Sequence, residues 1–234
     1  IYIDSGIIIL QRQINRTLPT LRGNKMTAVQ KSLLYVFAAF ALIFIAAMPF
    51  QPYAGDFAIK AIPAISLAVL ALITVSRITG KLLFVSLLFC AAGDIALELE
   101  GGKYFVIGLG LFLIAQIMFI ATFSRDFKMR RARIPIIVVL AVYGLAIALV
   151  LTPSLGEMAI PVYCYLVAII LMGIFATLRG AKNKFTLYGA ISFIISDSII
   201  AINKFMMPVP AVDYVVMITY YLALFLIVYG FLKE

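Results

Sequence analysis

The chain has 234 residues, of which 65% are hydrophobic and 12% charged, and its 19 Lys and Arg against 10 Asp and Glu leave a net charge of +9. A water-soluble domain is nearer half apolar and a quarter charged, so this chain lacks the polar side chains to clothe an aqueous surface. Disorder, a nucleic-acid-binding module and a disulfide-stapled secreted scaffold all fit poorly, and the composition points to an integral membrane protein.

Residues 1–32 are expected to form an N-terminal segment in the cytoplasm or on the membrane surface. The apolar run Ile7 to Leu10 is too short to span, and Arg12, Arg16 and Arg22 follow it rather than precede it. The first residue is Ile, and Met26 is a candidate initiator. Residues 33–234 are expected to be one transmembrane domain. Apolar runs of spanning length occur at about 33–50, 57–76, 82–99, 104–124, 134–151, 159–178, 185–206 and 210–232. Turn residues separate them, among them Pro52 and Gly55, Gly80, Gly101 and Gly102, Pro153 and Gly156, Gly180, and Pro208 with Pro210. The expected fold is therefore an all-α polytopic bundle of eight transmembrane helices. Of the 19 basic residues, all but Lys60, Lys103 and Lys204 fall on alternate connections or near the two ends. The positive-inside rule then places both termini in the cytoplasm, in a membrane expected to be the bacterial inner (cytoplasmic) membrane. The basic charge follows topology and calls for no nucleic-acid partner.

There is no histidine, which removes Ser/His/Asp and Cys/His triads and histidine-based metal or haem sites. Cys90 and Cys164 lie in apolar runs and read as packing residues. The informative residues are charges inside the spans. Asp94 in the third run and Asp197 in the seventh each lie 13 residues beyond a lysine, Lys81 and Lys184, which puts both about 20 Å along their helices and at the same depth. An aspartate in lipid costs several kcal/mol, so each is expected to face a polar interior. Glu98 lies one turn past Asp94; Asn203 and Lys204 lie about two turns past Asp197. Lys60 begins the second run, with Pro63 in what is expected to be its first turn, Tyr163 and Tyr165 begin the sixth, Asp213 begins the eighth, and Tyr220 and Tyr221 lie deeper in it. Gln116, midway along the fourth run, needs an internal hydrogen-bond partner. Read without function, the same residues are helix glue, snorkelling lysines and an aromatic belt.

This pattern resembles the YhhN-like lysoplasmalogenase family of multi-span membrane hydrolases. The resemblance rests on Gly93-Asp94 and on the run Ser196-Asp197-Ser198-Ile199-Ile200-Ala201-Ile202-Asn203-Lys204-Phe205, supported by Lys60 and by Tyr220-Tyr221-Leu222-Ala223. It covers about residues 33 to 232. Members similar to this chain often carry Ala-His where it has Ala115-Gln116, and a glutamine where it has Leu224; these departures bear on substrate choice and leave both aspartates in place.

The resemblance implies hydrolysis of the vinyl-ether bond of lysoplasmalogens, giving a fatty aldehyde and glycerophosphocholine or glycerophosphoethanolamine. The chemistry needs a carboxylic acid to protonate the alkene carbon away from oxygen and a carboxylate near the resulting oxocarbenium-like cation, a requirement shared with paired-carboxylate glycosidases. Asp94 and Asp197 are the expected catalytic pair, sharing one proton between them. Lys60 or Lys204 is expected to meet the phosphate and Asn203 to position headgroup or water, with Glu98, Gln116, Tyr163 and Tyr220 lining the substrate site. No metal or cofactor is called for; the partners are the lysophospholipid substrate and membrane lipids. Two rival readings use the same residues. A proton-coupled transporter needs a path reaching both membrane faces. A non-catalytic lipid-binding protein predicts ion pairs such as Asp197–Lys204 and no cavity for an alkyl chain.

Overall fold

The computed structural model describes residues 26–99 and 104–234. The expected N-terminal segment falls mostly outside them, as do Gly101, Gly102 and Lys103. In chain order the helices are α1 (Ala28–Ala47), α2 (Asp56–Thr74), α3 (Arg77–Glu98), α4 (Phe105–Ser124), α5 (Ile134–Leu155), α6 (Ala159–Thr177), α7 (Phe185–Phe205) and α8 (Val212–Leu232). Thr27 starts α1 with a capping box, its hydroxyl accepting from the Gln30 amide while the Gln30 side chain accepts from the Thr27 amide.

The expectation of eight separate spans is corrected. Among the described residues, seven stretches are long and apolar enough to cross a membrane, because the fifth and sixth expected runs are parts of a single helical stretch, Arg131–Thr177, of 47 residues. The break anticipated at Pro153 and Gly156 does not form a loop. Pro153 is absorbed into the last turn of α5, and Gly156, at φ 50°, sits in a one-turn 3-10 helix that runs straight into α6. A positive φ is readily available to glycine, so the chain changes direction at Gly156 with no loop between α5 and α6. The two arms touch, Thr152 hydroxyl to Tyr163 hydroxyl at 2.7 Å. Pro63 is also placed differently: α2 begins at Asp56, which puts the proline in the helix interior rather than its first turn.

The core runs through α2, α3, α4, α7 and α8, where Leu67, Leu87, Phe119, Phe193 and Leu224 are fully buried. The long apolar side chains of α5, such as Val139, Val142 and Leu149, stay exposed, as a lipid-facing helix requires. Lipid is as apolar as leucine, so close packing and interhelical hydrogen bonds hold such a bundle rather than hydrophobic burial. α7 and α8 show both: Ser192 donates to the Thr219 carbonyl at 2.7 Å and Ser196 to the Val216 carbonyl at 3.0 Å.

At the end of the bundle carrying the basic loops, Arg179 is 1% exposed. It donates to Glu234 at 2.6 and 2.8 Å and to the Thr186 hydroxyl at 2.6 Å, and its guanidinium lies 3.6 Å from the centre of the Phe231 ring. Burial holds Arg179 below the usual arginine range and pushes the Glu234 carboxyl up, the ion pair opposing both shifts. Sequence reading counted Arg179 among the basic residues of a connection; its burial gives it a structural part, locking the α6–α7 turn to the end of α8.

Candidate active site at the opposite end of the bundle

The C-terminal halves of α3 and α7 bring Asp94 and Asp197 into the half of the bundle away from the basic loops. Each meets a tyrosine. Tyr220 of α8 donates to Asp94 Oδ2 at 2.7 Å, and Tyr165 of α6 donates to Asp197 Oδ2. Asp94 is 2% exposed and lies within electrostatic reach of Lys60, Glu98 and Asp197. The two acids differ in what they face. Asp197 is half-buried and lines an apolar slot of about 60 Å³ walled by Leu97, Leu109, Phe112 and Phe205. Asp94 lines neither this slot nor the larger cavity beside it; it is buried with Tyr220, against whose ring Phe112 and Phe193 pack edge-on. Gly93 explains why a glycine precedes that aspartate. A Cβ there would lie 2.6 Å from the Phe112 ring, so the bare backbone is what lets a wall of the slot reach α3.

Gln116 completes the Asp197 side. It is fully buried on α4, and its Nε2 donates to the Tyr165 hydroxyl at 3.4 Å while its Oε1 has no partner. A tyrosine hydroxyl has one proton. With an amide N–H pointing at its lone pair, Tyr165 is set to give that proton to Asp197.

The larger cavity, about 240 Å³, is polar. Lys60 and Glu98 form an ion pair at 2.6 Å in its wall, and Gln51 donates to the same carboxylate at 2.7 Å. Asn203 and Asp213 also line it, and Ile200 borders both this cavity and the apolar slot. Tyr221 fixes the position of Lys60 by donating to its backbone carbonyl at 3.0 Å. Beyond the cavity, burial pushes the Tyr53 phenol up, with the Asp56 and Glu98 carboxylates adding to the shift.

The residues singled out by sequence therefore divide. Lys60, Glu98 and Asn203 share the polar cavity; Asp197 with Gln116 behind it belongs to the slot; Asp94 and Tyr220 form a buried pair beside it. Asn203 is partly engaged, since its Oδ1 accepts from the Val209 amide at 2.9 Å. Lys204 is exposed and lies over the Phe105 ring at 4.9 Å, above the slot rather than in the polar cavity, and it does not pair with Asp197. Tyr163 points away, to Thr152. Tyr165 takes the place expected of Tyr163, and Gln51 is an addition. Two residues along a helix turn the side chain through about 200°, so the choice between the two tyrosines was open to a helical-face argument anchored on Gln116's need for a partner.

Comparison with known proteins agrees with the residue pattern. The YhhN family model matches residues 55–231. "Lysoplasmalogenase TMEM86A" of Homo sapiens is 35% identical over 153 residues, 62% of this chain and 62% of the human protein. "Lysoplasmalogenase" of Mycobacterium bovis is 32% identical over 180 residues, 74% of this chain and 69% of its own length, and the Mycobacterium tuberculosis protein of that name matches to the same extent. The chain thus spans less than two thirds of the human relative's length. No solved structure matches it. With the family model covering most of the chain and curated relatives above 30% identity on both sides, this protein belongs to the YhhN family.

Proposed function

We propose that the protein hydrolyses the vinyl-ether bond of lysoplasmalogens, releasing a fatty aldehyde and a glycerophospho-base. The observation that carries the reading is Asp197 in the wall of an apolar slot, held by Tyr165, with Ile200 joining that slot to a charged cavity. A lysolipid has the same division: an alkenyl chain, a headgroup, and the scissile bond between them. The slot is too small for a whole chain, so the far end of the alkenyl group runs out between helices into the bilayer.

In this scheme protonated Asp197 gives its proton to the second carbon of the alkenyl chain, the double-bond electrons forming the new C–H bond. Positive charge appears on the first carbon and is shared with the ether oxygen. Asp94, buried nearby, and the Asp197 carboxylate stabilise that cation in a medium where charge is weakly screened. Water adds to the first carbon and loses a proton to Asp197. The hemiacetal then breaks its bond to the glycerol oxygen, which takes up a proton as the aldehyde carbonyl forms. Lys60 meets the phosphate and Asn203 orients headgroup or water. Both cavities lie in one half of the bundle, which favours a hydrolase over an alternating-access carrier. The setting is taken to be a bacterial cytoplasmic membrane, which membrane fractionation reads directly.

The test is aldehyde release by purified protein given a lysoplasmalogen, beside Asp197→Asn and Asp94→Asn. Loss of a general acid lowers the rate by about 10²- to 10⁴-fold. A wild-type protein that releases no aldehyde, or an Asp197→Asn variant at full rate, overturns the reading.

A further inference from the structure

The polar cavity carries a charge pattern that selects among headgroups, an inference resting on the hydrolase reading above. Its cation, Lys60, is already paired with Glu98 at 2.6 Å, and Asp213 adds a second carboxylate at the rim. Once a phosphate lies against Lys60, the cavity holds an excess of negative charge that a cationic headgroup terminus relieves and an anionic one worsens. The two common cationic termini differ in what they need. A quaternary ammonium has no N–H to donate and is held best by a cage of aromatic faces, whereas a primary ammonium makes charge-assisted hydrogen bonds to carboxylates. Among the described residues the cavity wall offers one aromatic ring, Phe44, and Lys60 Nζ already lies 5.7 Å from its centre. Carboxylate acceptors are present; an aromatic cage is not.

We infer that the cavity is an ethanolamine-selective headgroup site, with Asp213 as the specificity-determining residue that receives the primary ammonium while Lys60 receives the phosphate. Asp213 is exposed, so its contribution is that of a rim ion pair, about three- to fivefold in kcat/KM rather than orders of magnitude.

The experiment compares ethanolamine and choline lysoplasmalogens with the same alkenyl chain, measuring kcat/KM for aldehyde release by the wild type and by Asp213→Asn. The saturated 1-O-alkyl analogues, which lack the vinyl ether, are bound in parallel by displacement of a labelled alkyl lysolipid. The expected result is an ethanolamine preference of about three- to fivefold in the wild type, in both turnover and binding, that falls to near unity in Asp213→Asn because the ethanolamine lipid loses its hydrogen-bonded partner and the choline lipid loses less. A choline preference, or a ratio that Asp213→Asn leaves unchanged, overturns the inference. If neither vinyl-ether lipid yields aldehyde, the hydrolase reading fails, and the binding ratio of the alkyl analogues still decides the headgroup question on its own.

Discussion

The contact most open to test is the Tyr165 hydroxyl, which stands between Gln116 and Asp197. Tyr165→Phe deletes one oxygen from a buried position and leaves the ring in place. Two consequences follow from the geometry. Asp197 loses a hydrogen bond to a carboxyl, a bond worth about 1.5–3 kcal/mol, and at about 1.4 kcal/mol per factor of ten this corresponds to a roughly 10- to 100-fold fall in kcat if the bond steadies Asp197 as its charge develops. Gln116 loses its one partner as well: Nε2 is stranded, and Oε1 has none already. A fully buried amide with no partner costs about 1–3 kcal/mol, read as a lower thermal midpoint in detergent. The two effects separate in the double variant Tyr165→Phe/Gln116→Leu, where the stranded amide is gone. Its midpoint recovers while kcat stays low. If Tyr165→Phe alone keeps kcat within twofold of wild type, the hydroxyl does not act on the reacting acid and the assignment of Asp197 as proton donor loses its support.

Other outcomes follow from other contacts. Lys60→Met raises KM about tenfold with kcat largely kept, since a phosphate contact made equally in ground and transition states changes binding and not the chemical step; steady-state kinetics read the split. Gly189→Ala places a Cβ 2.8 Å from the Ala223 carbonyl and the Ile227 backbone, wedging α7 from α8 at a cost of about 1–3 kcal/mol in midpoint stability. Arg179→Met removes a buried cation from Glu234 and Thr186; Glu234 keeps some access to water, so the cost is held to about 1–3 kcal/mol. Because burial raises the Glu234 carboxyl in the folded state, its contribution to stability is full at low pH and is lost as pH rises from the ordinary carboxylate range through the raised folded value. Glu234→Gln flattens that part of a midpoint-against-pH curve.

Depth along the helix was legible in the sequence, and direction around it was not. A 1.5 Å rise and two lysines to count from place Asp94 and Asp197 in the same half of the bundle, where the structure has them. Which way each points depends on neighbours, and helices apolar on nearly every side give no amphipathic signal to orient them. That is why both acids were expected to share one site, whereas Asp197 lines the slot and Asp94 is buried with Tyr220. The α5–α6 junction was misread for a related reason. Proline and glycine mark loops between soluble helices, but a backbone in lipid gains by keeping its hydrogen bonds, so Pro153 closes α5 and Gly156 turns the chain into α6 with no loop between them. Polar residues with unmet needs were better guides. Gln116 had to find a partner, and the partner it found, Tyr165, is the residue that connects it to Asp197.

The same asymmetry between the acids gives the site its physical logic. Carboxylates side by side in one open cavity attract water and counter-ions, which screen the field that a developing cation would feel. Here the acid proposed to touch substrate, Asp197, sits in an apolar wall, and Asp94 is buried within its electrostatic reach and bonded by the Tyr220 phenol. On the proposed reading, the polar cavity walled by the ion pair, Gln51 and Asn203 takes the polar end of the substrate apart from that region, with Ile200 between. An enzyme cutting at the boundary between hydrocarbon and headgroup needs this separation. Fixed charge can act strongly only where water is scarce, and a headgroup can be bound only where water and ions are admitted. Placing an apolar residue at the border lets one lysolipid meet both conditions at once, and Ile200→Asn, which admits polarity to the slot, is expected to lower kcat more than it changes headgroup binding by the saturated alkyl analogues.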